Sequence, residues 1–268
     1  MSERAEVGDV TISFEDAGGE GPAVVFVHGL GGSAYTWRAQ LAACAASGYR
    51  AVAYDQRGAG RSSKPAGPHS VERWAADLEG LLDALGIERA ALVGHSVGCM
   101  IAEQAALRLG SRCRALALLG GALRWRPEAG PVFEERVRLA RTGRMAEIAE
   151  AVAGTGLSER CRAARPELHG LFLEAIASND PEAYAEWSAA TALAQMIEPE
   201  RVACPTLALC GELDPVTPPA FAEAIAEAIP GAETAVIPGA AHWCQLEAPE
   251  AVNAVLLAWL GTADASQH

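Results

Sequence analysis

Residues Val10 to Glu15 alternate apolar and polar side chains. That period of two predicts a strand with one buried and one wet face, as in an antiparallel pair. Ala23 to Val27 is apolar without a break and reads as a strand buried on both faces. Trp37 to Ser47 has helical spacing and is closed by Gly48, and Tyr49 to Tyr54 is the next strand. Ser70 to Leu85 is amphipathic, with Ser70 placed to cap the first turn and Gly86 to end the helix. Ala90 to Val93 then reads as strand, Val97 to Leu109 as helix and Ala115 to Leu119 as strand. Strands alternating with helices imply a parallel sheet covered on both faces.

The alternation stops at about Ala122. From there to about Ile197 the pattern is helical and richer in charge, and Pro127, Pro131, Pro166 and Pro181 break it into several helices. Strand and helix resume with Thr206 to Cys210, Pro219 to Ala228, Glu233 to Ile237 and Ala248 to Leu260. The reading is a core built from residues 1–121 and 198–268, interrupted by a helical cap at 122–197. Thr262 to His268 is expected to fray.

Composition narrows the function classes. A chain of 268 residues, half of them apolar, suits one large α/β domain. The net charge of −13 argues against nucleic acid and anionic membrane surfaces, which need a basic face. No apolar run is long enough to span a bilayer, and the polar start Met1-Ser2-Glu3-Arg4 lacks a signal-peptide core. Cys44, Cys99, Cys113, Cys161, Cys204, Cys210 and Cys244 contain no CxxC pair. That spacing suits neither zinc nor a disulfide framework, so free thiols in a reducing cytoplasm are expected.

The candidate chemistry begins at Ala91-Leu92-Val93-Gly94-His95-Ser96-Val97-Gly98-Cys99-Met100. A serine between a buried strand and a helix must stand on a very tight turn. Gly94 and Gly98 leave room for it, and the helix starting at Val97 points its amides at charge forming near Ser96. A serine hydroxyl needs a base, and the base an orienting carboxylate. Glu212 and Asp214 follow one strand end, and His242 follows the next. The alternative role for Asp214 is a helix N-cap beside Pro215, and Glu212 is a rival carboxylate. Among the other histidines, His95 and His28 read as packing residues. His169 lies in the cap, His69 in a loop and His268 at the terminus. The order Ser96, Asp214, His242 matches one known triad topology.

With these residues the chain resembles the α/β-hydrolase superfamily over about residues 8 to 262. His28-Gly29-Leu30-Gly31-Gly32-Ser33 and Asp55-Gln56-Arg57-Gly58-Ala59-Gly60-Arg61-Ser62 strengthen the resemblance. It implies an α/β-hydrolase fold: a mostly parallel eight-stranded sheet, helices on both faces and an inserted helical cap. It also implies Asp214 as the acid, an oxyanion hole from the backbone amides of Leu30 and Val97, and no metal or organic cofactor. Cys99 is expected to lie buried under the turn.

A serine nucleophile argues against epoxide hydrolases and haloalkane dehalogenases, which use aspartate. Asp180-Pro181-Glu182-Ala183-Tyr184 together with Asp214-Pro215-Val216-Thr217-Pro218-Pro219 resembles 3-oxoadipate enol-lactonases and related ester and lactone hydrolases. A substrate carboxylate would then want a cation, for which Arg124 and Arg126 are candidates. Trp243, directly after the histidine, also resembles the carbon–carbon bond hydrolases of vinylogous diketones. An acyltransferase, or a non-catalytic binder of small molecules, are further alternatives. Trp125, Phe133, Phe172, Tyr184 and Trp187 are expected to roof a compact apolar pocket. The candidate substrate contacts are His28, Gly29, Arg124, Trp125, Trp187 and Trp243, and the expected partner is a small ester or lactone. The sequence leaves monomer and homodimer open.

Overall fold

A computed structural model describes residues 2–265. Its sheet has eight strands: β1 (Glu3–Val7), β2 (Val10–Asp16), β3 (Ala23–Val27), β4 (Arg50–Tyr54), β5 (Ala90–His95), β6 (Cys113–Leu119), β7 (Thr206–Gly211) and β8 (Glu233–Ile237). They lie in the order 1-2-4-3-5-6-7-8. β2 pairs antiparallel with β1 and β4, and every other pair is parallel. The unbroken apolar runs sit in the middle, where β3, β5, β6 and β7 are buried along their whole length. β1 has no counterpart among the strands expected from the sequence. Glu3, Arg4 and Glu6 make it polar, as suits an exposed edge, and it joins β2 through Gly8 at φ +57°.

Eleven helices accompany the strands among the described residues. α1 (Arg38–Ala46), α2 (Val71–Ala84) and α3 (Val97–Leu109) belong to the first half. α4 (Ala129–Arg141), α5 (Met145–Gly156), α6 (Glu159–Ala164), α7 (Pro166–Ala177) and α8 (Pro181–Leu193) all fall between β6 and β7. α9 (Pro219–Ala228), α10 (Cys244–Glu247) and α11 (Pro249–Ala265) complete the chain. α11 continues five residues beyond the expected end at Leu260, so the tail begins later than the sequence suggested. Residues 266–268, which include His268, lie outside the described residues.

Period two in the strands sorts the core into two layers. Val24, Phe26, Ala51, Ala53, Ala91 and Val93 pack against Trp37 and Leu41 on one side, with Val252, Leu256 and Trp259 of α11. Val25, Val27, Val52, Tyr54 and Leu92 point the other way, onto Trp74 and Leu78 of α2 and Met100 and Ile101 of α3. Each fully buried aliphatic side chain here contributes roughly 1.5–3 kcal/mol. The helix boundaries follow their caps. Ser70 accepts from Arg73 N at 3.2 Å, and Gly86 takes φ +64°.

The Asp55–Ser62 loop is structural. Arg57 reaches Asp77 at 2.5 and 2.7 Å and Asp9 at 2.8 Å, while Asp55 accepts from the amides of Ala34 and Arg61. A Cβ on Gly60 would stand 2.3 Å from the Asp55 carboxyl, so only glycine fits that turn. No helix among the described residues is long and apolar enough to cross a membrane.

Candidate active site

Ser96 stands between β5 and α3 with φ 56° and ψ −124°. It is the one non-glycine residue at positive φ among the described residues. Such a conformation costs on the order of 1–3 kcal/mol and persists only where the surroundings enforce it. The enforcement is visible. A Cβ on Gly94 would meet Gly98 O at 2.4 Å, and one on Gly98 would meet Val27 O at 2.4 Å. The Ser96 side chain does not cap the helix it precedes. Cys99 is buried beneath the turn, its thiol 3.3 Å from the carbonyls of Gly94 and Leu119.

Asp214 follows β7 and His242 follows β8, so both arrive at the C-terminal edge of the sheet, where β5 delivers Ser96. His242 Nδ1 lies 2.8 Å from Asp214 Oδ2. The other Asp214 oxygen accepts the amides of Val216 and Thr217 at 2.8 and 2.9 Å, and the Thr217 hydroxyl donates to Oδ2 at 2.8 Å. Asp214 therefore both caps its own turn and holds the imidazole. Burial works against its ionisation. The adjacent His242 and the hydrogen bonds from His242 and Thr217 outweigh that and keep the carboxyl below its usual range. Glu212, the rival carboxylate, is engaged elsewhere, accepting from Gly239 N at 2.8 Å.

Several residues fix the histidine loop. His95 Nε2 lies 2.9 Å from the His242 carbonyl. Burial, reinforced by His242, pushes the His95 imidazole down to about 3, so it is neutral at ordinary pH and donates that bond. Glu247 accepts from Ala241 N and Ser158 N, both at 3.0 Å, and Trp243 N donates to Gly156 O at 2.9 Å. These bonds tie the loop to α5 and α6. Gly120, at φ +58°, keeps clear of the His242 ring, which a Cβ there would approach to 3.2 Å.

Ser96 and His242 line one cavity of about 400 Å³. Leu30, Trp243, Pro215, Val216 and Phe221 form its walls on the sheet side. Trp125 and Arg126, just before α4, and Phe133, Arg136, Val152 and Thr191 on the helices between β6 and β7 close it from the other side. Leu30 lies beside Ser96 in this cavity and Val97 is the first residue of α3. A larger concavity of about 810 Å³, lined by Ser33, Arg61 and Asn179 among others, contains neither Ser96 nor His242.

The candidate substrate contacts divide. Trp125 and Trp243 line the cavity, whereas His28, Gly29, Arg124 and Trp187 do not. His28 is buried, donates from Nδ1 to Gly29 O at 2.8 Å and accepts the Gln56 amide at Nε2, so it pins the Leu30 loop. Gly29 packs on the turn itself, where a Cβ would stand 2.9 Å from Ser96 Cβ. Arg124 pairs through its backbone with Gln195. Trp187 lies tilted against Trp74, ring centroids 4.0 Å apart, and donates to Arg57 O at 2.7 Å. Of the expected roof aromatics, Trp125 and Phe133 reach this cavity. Phe172 packs edge-on to Trp243 at 5.2 Å and Tyr184 lies in the core. His69 is buried against Trp74, and His169 on α7 stays clear of the cavity.

Sequence reasoning passed over Arg136, Thr191, Thr217 and Glu247. Thr217 carried a signal, because an Asp with amides at the second and third following residues is an Asx turn. The others carried none, since a charged helix shows no sign of which face covers a cavity.

The alpha/beta hydrolase fold family model matches residues 22–249. A protein of Shigella flexneri provisionally named carbamate hydrolase RutD is 31% identical over 250 residues, 89% of this chain and 91% of that protein. The enol-lactonase of Burkholderia xenovorans superposes with a TM-score of 0.91 at 29% identity, covering 97% of this chain and 100% of that one. A thermophilic esterase from Thermogutta terrifontis gives 0.90 at 29% identity, with 98% and 99% covered.

Proposed function

The chain belongs to the alpha/beta hydrolase fold family, and from that premise we propose that it is a serine hydrolase of compact carboxylic esters or lactones. The observation that carries the reading is one cavity lined by both Ser96 and His242, with Asp214 bonded to the imidazole's other nitrogen.

In this reading Ser96 Oγ attacks the acyl carbon while His242 Nε2 takes its proton. Asp214 fixes the tautomer with hydrogen on Nδ1 and stabilises the cation. The backbone amides of Leu30 and Val97 receive the oxyanion, and losing one such donor typically costs about 10²–10³ in kcat. His242 then protonates the leaving alcohol, which stays tethered when the substrate is a lactone. Water enters, gives its proton to His242 and releases the acid. Residues 122–197 act as the cap that closes the cavity.

The cap also suggests the substrate's charge. Arg126 and Arg136 line the cavity, stacked on Phe221 at 4.6 Å and Phe133 at 5.6 Å. Neither forms an ion pair with a carboxylate among the described residues. Glu128 is the opposing charge in the lining. A carboxylate on the acyl part would give both guanidiniums a partner. The cation expected from the sequence is therefore assigned to Arg126 and Arg136, and Arg124 is set aside.

The test is turnover by the purified protein across short p-nitrophenyl esters, enol-lactones, a carbamate and a vinylogous diketone. Fastest turnover of esters or lactones supports the reading. Exclusive cleavage of the diketone, or of the carbamate, replaces it.

A further inference from the structure

Cys113 opens β6, and Cys204 lies two residues before β7. They are 91 positions apart in sequence, yet their sulfurs stand 3.7 Å from each other. Both line a crevice of about 440 Å³ with Arg89, Arg114 and Arg201. That crevice is at the N-terminal ends of the strands, across the sheet from Ser96. Cys113 is buried and Cys204 half-buried, so one sulfur is reachable and the other stands behind it. We propose that Cys113 and Cys204 are a dithiol modification site, which peroxide converts reversibly to a disulfide.

The chemistry divides between them. The Cys204 thiolate attacks one peroxide oxygen, the O–O bond breaks and hydroxide leaves, giving a sulfenic acid. The Cys113 thiolate then attacks that sulfur, so the S–S bond forms as S–O breaks and a second hydroxide leaves. With the two thiol protons the net products are one disulfide and two waters. Two electrons pass from sulfur to peroxide. Cys204 is the attacking sulfur because it is the one that peroxide can reach, and the contact with Cys113 favours a thiolate there. Closing 3.7 Å to a bond of about 2.05 Å needs side-chain rotation and a small shift between two neighbouring strands.

The other cysteines are poor competitors. Burial pushes the thiols of Cys44 and Cys210 up to about 12 and about 11, and those of Cys99, Cys161 and Cys244 up as well. The disulfide would enclose β6 and all of α4 to α8. It would clip the base of the strand that leads into the cap to the base of the strand that carries Asp214. Such a closed loop restricts the unfolded chain, so the oxidised protein should melt at a higher temperature.

The experiment is mild hydrogen peroxide treatment of the reduced full-length protein, followed by thiol titration, non-reducing peptide mapping and a melting curve. The expected result is loss of two of the seven thiols, a peptide pair joining Cys113 to Cys204, and a raised melting temperature that dithiothreitol reverses. In Cys113→Ser the sulfenic acid on Cys204 should persist and be trapped by dimedone. A wild-type map with a different pair, with over-oxidised Cys204 and no crosslink, or with both thiols intact would overturn the proposal. Because the wild-type map decides, misfolding of a variant would not obscure the answer.

Discussion

One carboxylate, Asp214, satisfies two backbone amides, a hydroxyl and an imidazole. Removing its charge separates these duties. Asp214→Asn can still accept the turn amides, but it no longer stabilises an imidazolium or selects the right tautomer. By analogy with such substitutions, kcat on an ester substrate should fall about 10⁴-fold with little loss of melting temperature. The sequence made Asp214 legible through its place after a strand. The turn around it was legible in the same way, and the folded loop adds the bond from the Thr217 hydroxyl to the carboxylate. A second residue-scale prediction concerns Arg136. A charge-assisted hydrogen bond is worth about 1.5–3 kcal/mol. Arg136→Gln should therefore lower the preference for a carboxylate-bearing over a neutral acyl ester about 10- to 100-fold. Comparing kcat/KM for monoanionic and neutral esters of one alcohol checks this.

At the scale of elements, α3 does more than present Ser96. Its Glu103 is fully buried and accepts from Glu198 N at 3.3 Å, where the chain runs from α8 towards β7. Burial pushes this carboxyl up to about 7 from an ordinary 4.5. Between those values the folded protein holds a proton that the unfolded chain has released, so stability falls as pH rises through the window and levels off above it. Glu103→Gln should thus be more stable than wild type at pH 8, by on the order of 2 kcal/mol, with the gain vanishing near pH 4.5. Urea unfolding at the two pH values tests the sign. Nothing in the sequence marked this residue, because a lone Glu among apolar neighbours reads the same whether it faces water or the core. The elements with strong periodicity were legible, from β3 through β6 and again from β7 to α9. β1 was not, because an edge strand carries too little apolar pattern to announce itself.

For the whole molecule, the alternation of strand and helix and its interruption after β6 were readable, since burial on both faces leaves unbroken apolar runs. The cavity was not, because its walls come from seven separate stretches of chain that only the tertiary fold assembles. Its volume of about 400 Å³ sits low in the range for small-molecule sites. Across p-nitrophenyl esters of rising chain length, kcat/KM should peak at short acyl groups and decline for long ones. A maximum at long-chain esters would mean that the helices between β6 and β7 open far wider than they stand here. Everything proposed for the site turns on Ser96 as the nucleophile. The decisive experiment treats wild type and Ser96→Ala with an alkyl fluorophosphonate and weighs the intact proteins. One phosphonyl adduct is expected on wild type, mapped to Ser96, with ester turnover lost in step, and none on Ser96→Ala. Equal labelling of both proteins, or an unlabelled wild type that still hydrolyses esters, would contradict it.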